Sequence, residues 1–118
     1  MADLALHAAA AGRWTQTHRY ASRAATQALA LSAPHAALEQ LNRALDALAR
    51  GGPTAAGWVP NHTELLRQRA STYEIVGDFD GARADHEARL QAARDAADLQ
   101  LEWQSLFDLG FLWTARDM

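Results

Sequence analysis

The sequence has 118 residues, a length that holds one ordinary domain, with no cysteine and a formal net charge of −3. The missing cysteines exclude a disulfide framework and thiolate metal sites, and the interspersed, mildly acidic charge supplies no field for nucleic acid. Hydrophobic residues make up 49% of the chain, most of them alanine and leucine, and Ile75 is the only isoleucine, a bias that favours closely approaching helices over a sheet.

Periodicity predicts six helices. The first, roughly 2–11, is stopped by Gly12; it is apolar, but Asp3 and His7 and the lack of a basic leader make it a helix and not a signal peptide. The second runs from Trp14 to Leu31 with Tyr20, Ala24, Ala28 and Leu31 on one stripe. Ser32 before Pro34 ends it and starts the third, about 34–49, where Leu38, Leu41, Leu45 and Leu48 recur at three- and four-residue steps until Gly51-Gly52-Pro53. The stretch 51–60 is expected to be a loop within a single domain, 1–118. Asn61 and Glu64 have capping-box spacing, so the fourth helix should start at Asn61 and reach Val76, where Gly77 stops it. Asp78 caps a fifth helix over 79–96, and Asp98 a sixth that extends to near Arg116; the break between these two offers only Ala96-Ala97 and no glycine. No run of about 18 apolar residues is present for a membrane span.

The turn form repeats. Gly77-Asp78-Phe79 is echoed by Arg116-Asp117-Met118, and Gly12-Arg13-Trp14 has the same small, polar, aromatic order. On these residues the chain resembles the tetratricopeptide repeat family. Its best repeat, 63–90, has Leu66, Ala70 and Tyr73, then Gly77-Asp78-Phe79, then Ala82 at the family's spacing. It departs at Arg69, where leucine is usual, at His86, where an aromatic is usual, and at Arg89, where a small residue is usual; a poorer core or a polar groove follows. A degenerate repeat covers about 18–45, with Ala21, Ala25 and Ala28 facing Ala37, Leu41 and Ala44. More narrowly, the run from Ala11 to Leu45 and the stretch 79–113 are similar to the helical repeats behind the ATPase module of large bacterial transcriptional regulators and nucleotide cyclases. The resemblance implies an all-α solenoid of antiparallel helix hairpins, with degenerate repeats about 1–50 and 61–118. It also implies a cytoplasmic protein-interaction role in signalling or transcription, without catalysis or cofactor. The first helix of each pair would line a groove for a protein or peptide partner, with Arg19, Ser22 and Thr26 on one helix and Glu64, Arg67, Ser71 and Glu74 on the next. The other reading of these residues is an ordinary solvated face.

The alternative is a small metal-dependent or other enzyme, which would need histidines and carboxylates to converge. His18, His35, His62 and His86 fall on different helices at no ligand spacing, and Asp3 and His7 lie a helical turn apart. Asp78/Asp80 and Asp95/Asp98 sit at helix ends, where carboxylates cap exposed N–H groups. The serines lack a strand-to-helix glycine elbow, and without lysine there is no phosphate loop. The four tryptophans and three phenylalanines, with no arginine gathered beside them, suit packing or a protein interface more than base stacking.

The sixth helix is the most apolar. Leu99, Trp103, Leu106 and Trp113 fall on one side, Phe107, Leu109, Phe111 and Leu112 spread around it, and only Gln100, Gln104 and Asp108 form a polar strip. Such a helix is normally covered on two sides. With no following helix in this sequence, the expectation is a piece of a larger protein or a layer completed by another molecule. The simplest form is a homodimer through Trp103, Leu106, Phe107, Phe111 and Trp113. Close helix contacts are expected at Ala24, Ala25, Ala70 and Ala82.

Overall fold

The computed structural model describes residues 14–51 and 58–117. They form five helices: α1 Trp14–Ala30, α2 Pro34–Gly51, α3 Trp58–Val76, α4 Phe79–Asp95 and α5 Leu99–Asp117. Among the described residues the fold is all-α, without a strand, and no helix is long and apolar enough to cross a membrane. The helix expected over 2–11 and the Gly12-Arg13 part of the turn echo lie outside the described residues.

Two boundaries differ from the sequence-based expectation. α3 begins at Trp58, three residues before Asn61, so Pro60 is its third residue and the expected loop 51–60 is shortened at both ends, because Gly51 is still in α2. The N–H groups of a first turn have no intrahelical acceptor, so a proline there loses no hydrogen bond and its fixed φ suits the helix. Asn61 is therefore inside the helix and not its cap; the Thr63 hydroxyl donates to the Pro60 carbonyl at 3.3 Å instead. Arg116 and Asp117 are still helical, so that echo of the turn form is not a turn.

The C-terminal ends of α1, α3 and α4 share one device. After α1, Ser32 N–H donates to Leu29 O at 3.1 Å and Ala33 N–H to Ala28 O at 2.8 Å. After α3 the pair is Gly77 to Glu74 at 3.2 Å and Asp78 to Tyr73 at 2.8 Å, and after α4 it is Ala97 to Arg94 at 3.1 Å and Asp98 to Ala93 at 2.9 Å. These are Schellman closures, which require a left-handed residue just past the helix. Ser32 (φ 56°), Gly77 (φ 84°) and Ala97 (φ 54°) take that conformation, and only Gly77 does so without a Cβ penalty. The next helices start as expected: Asp78 Oδ1 accepts from Gly81 N at 2.9 Å and Asp98 Oδ1 from Leu101 N at 3.1 Å. A Cβ on Gly81 would meet Asp78 Oδ2 at 2.8 Å, so this cap depends on the glycine.

The chain divides into two units, Met1–Leu65 and Leu66–Met118. In the first, the turn at 31–33 folds α2 back against α1 over a core of Ala21, Ala25, Leu41, Ala44 and Leu65, with Tyr20, Leu45 and Leu48 around it. In the second, Ala70 of α3, Ala82 of α4 and Leu112 of α5 form the apolar centre, flanked by Tyr73 and Phe79. The bonds Arg94 to Glu102 and Arg89 to Asp108 join residues at matched distances on either side of the 96–98 turn, which fixes α4 and α5 as antiparallel. Of the expected close-contact alanines, Ala25, Ala70 and Ala82 are fully buried, whereas Ala24 is only half-buried; Ala21, four residues from Ala25, takes its place on the contact face.

Candidate functional site

The second unit replaces part of its apolar core with charge. The Arg69 guanidinium of α3 donates to both carboxylate oxygens of Asp85 on α4, Nε to Oδ2 at 2.8 Å and Nη2 to Oδ1 at 2.6 Å, and lies 5.8 Å from the centre of the Tyr73 ring. Asp85 is 4% exposed. The bond to Asp85 holds the arginine even more firmly in its charged form. One turn along α4, Arg89 is 2% exposed and its Nη1 donates to Asp108 Oδ2 of α5 at 2.7 Å. The same nitrogen lies 2.9 Å from His86 Nδ1. A guanidinium can only donate, so Nδ1 is an acceptor and the proton of the neutral ring sits on Nε2. That atom lies 3.8 Å from Glu74 Oε2, beyond hydrogen-bond length. Burial lowers the His86 pKa from its ordinary value, Arg89 lowers it further, and Asp108 and Asp85 oppose them. Burial raises the Glu74 pKa, and repulsion from Asp108 adds to the shift. Arg89 Nε is buried with no hydrogen-bond partner.

His86 and Arg89 of this network floor a groove of about 620 Å³. Arg67, Ser71 and Glu74 of α3 form one wall, and Trp103, Gln104, Phe107, Asp108 and Phe111 of α5 form the other. The three aromatics recur every four residues, which on a helix sets them in one row. They are 74%, 68% and 68% exposed. The Phe107 and Phe111 rings pack on each other with centres 5.9 Å apart. Between them sits Gly110, where an added Cβ would meet nothing. The face of α5 turned inward is a different one, with Ser105 and Leu112 buried. The Ser105 hydroxyl donates to the Leu101 carbonyl at 2.8 Å, which satisfies it without a partner from another helix.

Two sets of residues that the sequence treats separately thus meet in one place. Arg67, Ser71 and Glu74, expected in a partner groove, face Trp103, Phe107 and Phe111, expected in a self-association patch. Leu106 is exposed but does not line the groove, and the Trp113 side chain lies outside the described residues. Glu64 is exposed and belongs to the first unit, as do the candidates on α1. There Arg19 and Thr26 are exposed, with the Thr26 hydroxyl donating to the Ser22 carbonyl at 3.1 Å. Ser22 Oγ itself is buried without a hydrogen-bond partner, so it is not presented to a ligand. His86, Arg89, Gln104 and Asp108 line the groove without being expected there from the sequence. His86 and Arg89 are nevertheless marked by their polarity at positions where the resembled pattern is apolar or small. Helical spacing places Asp108 on a solvated strip, and only the packing of α5 on α4 reveals it as the counter-ion of Arg89.

Among the described residues, no three His, Asp or Glu side chains gather in a way that could hold a metal ion. No family model matches this chain, and neither a curated protein nor a solved structure does.

Proposed function

We propose that this chain is a protein-interaction module built from helical hairpins of the tetratricopeptide type, and that the second-unit groove is where it receives a partner. The observation that carries the reading is the row Trp103, Phe107 and Phe111, largely open to solvent along a groove whose polar floor is already engaged with itself. Monomeric proteins rarely leave such an aromatic patch uncovered without a use for it. In support of the family reading, helices pack through alanines at Ala21, Ala25, Ala70 and Ala82, and two of the residues that depart from the family pattern, His86 and Arg89, line the groove. A solenoid of further hairpins, a cytoplasmic role as the regulatory repeat region of a bacterial signalling or transcription regulator, and the absence of catalysis belong to the same proposal.

The aromatic row admits two occupants: a helix or peptide of another protein, or a second copy of this chain as a two-fold dimer. A charge on the row tests both. Phe107→Glu should keep the circular-dichroism spectrum and melting temperature of the wild type, since the residue is exposed, while losing partner capture or, for a dimer, giving monomer by light scattering at micromolar concentration. A wild type that remains monomeric, binds no hydrophobic dye and takes up no helical peptide would overturn the reading.

A further inference from the structure

We infer that the groove's occupant is a cationic amphipathic helix or peptide, one that lays an apolar row on Trp103, Phe107 and Phe111 and sets an arginine or lysine beside Glu74. The inference rests on the groove being a docking site and adds the chemistry of its partner.

The argument is one of charge. Two carboxylates from different helices, Glu74 of α3 and Asp108 of α5, line the same volume, and each side chain is 37% exposed. They are close enough for Asp108 to disfavour the ionised form of Glu74. The cations nearby do not resolve this. Arg89 lies in the floor and already donates to Asp108 and His86, and burial and Arg89 both disfavour a charge on His86. Arg67 is seven residues up α3 from Glu74, about 10 Å along the axis, and has an interaction of its own. Asp108 is therefore matched by Arg89, and Glu74 is the carboxylate left without a cation in contact, on the open side of the groove next to three aromatic faces. An ammonium or guanidinium on an incoming helix would neutralise it by a charge-assisted hydrogen bond and be drawn to the aromatic rings as well.

A second copy pairing through α5 does not supply that cation. Between Leu99 and Leu112, α5 carries Glu102 and Asp108 and no basic residue. Pairing this helix with itself across a two-fold axis brings no cation to Glu74, since its carboxylates are already matched by Arg94 and Arg89, whereas a basic segment of another protein supplies one.

The test is selection of a display library of short helices, randomised on their surface, against the whole chain. The expected pool carries arginine or lysine within one turn of an apolar row and binds less well as salt is raised. Its affinity should fall about tenfold on Glu74→Gln, the equivalent of one charge-assisted bond. Glu74→Gln leaves Arg89 its counter-ion, Asp108, which guards against mistaking lost structure for lost binding. A pool of neutral or acidic helices that still competes for the groove would overturn the charge inference and leave the docking reading standing. Equal recovery on wild type and on a folded Phe107→Glu/Phe111→Glu variant would overturn both. A micromolar dimer that Phe107→Glu dissociates would give the groove to a second copy and overturn the inference as well.

Discussion

The two units of this chain fill their interiors differently. In the first, α1 and α2 meet through Ala21, Ala25, Leu41 and Ala44, and the buried hydrophobic residues are small or aliphatic. The second has Ala70, Ala82 and Leu112 at its apolar centre and adds to the interior Arg69–Asp85 and Arg89–Asp108. Both use hairpins closed by the same pair of backbone bonds, so the turn geometry does not dictate what lies between the helices. The ionic interior supplies little net stability for its size, because desolvating charges offsets most of their attraction. It does supply polar atoms at a groove floor, each with a fixed direction, which an alanine and leucine core cannot.

The comparison can be broken most sharply at Arg69. Arg69→Met leaves Asp85 as a buried carboxylate without its partner and should destabilise by about 3–5 kcal/mol, read from urea unfolding. Adding Asp85→Leu should recover most of the loss; a double variant no more stable than the single would show that the pair does more than balance charge. In the first unit, Leu41→Ala should cost about 2–5 kcal/mol by leaving a cavity, and no second substitution nearby that only removes charge should rescue it.

A smaller effect separates the units by pH. His86 has a folded-state pKa below its ordinary 6.5, so the unfolded chain takes up the proton first. Its contribution to stability is complete above about pH 6.5 and is lost as pH falls toward the folded-state value. Urea unfolding at pH 7.5 and pH 5.5 should show that fall, and His86→Gln, which can still accept from Arg89, should reduce it. Part of the slope will remain, because burial and Arg19 shift His18 of the first unit in the same direction. An identical slope in the His86 variant would exclude this residue as the source.

The smallest effect concerns the turns. Ala97 holds a left-handed φ of 54° that glycine adopts freely, so Ala97→Gly should stabilise by roughly 0.5–1 kcal/mol. A loss of stability would mean that the unfolded-state entropy of glycine outweighs the strain.

The same turns show what can be read from a sequence. Gly77-Asp78 is legible because glycine marks the left-handed position and aspartate the cap, and Asp98 marks the second cap without a glycine before it. The start of α3 is not legible in this way, since a proline in a first turn looks like the proline of a loop. The groove is half legible. Helical spacing brings out Trp103, Phe107 and Phe111 on one helix and Arg67, Ser71 and Glu74 on another, but not that they face each other. Arg89 stands out as a charge in a small-residue position, whereas its pairing with Asp108 spans 19 residues and depends on how α5 lies on α4.

Gly110 gives the aromatic row a gradient of firmness. A glycine inside a helix forfeits about 1 kcal/mol relative to alanine, and here nothing packs where its side chain would be. The backbone hydrogen bonds that hold Phe111 are thus easier to open than those that hold Trp103, and amide hydrogen exchange along α5 should quicken past that point. One end of the row is anchored and the other can adjust, so a bound helix would be gripped at Trp103 and accommodated at Phe111, with the ordering of that last stretch charged against its affinity.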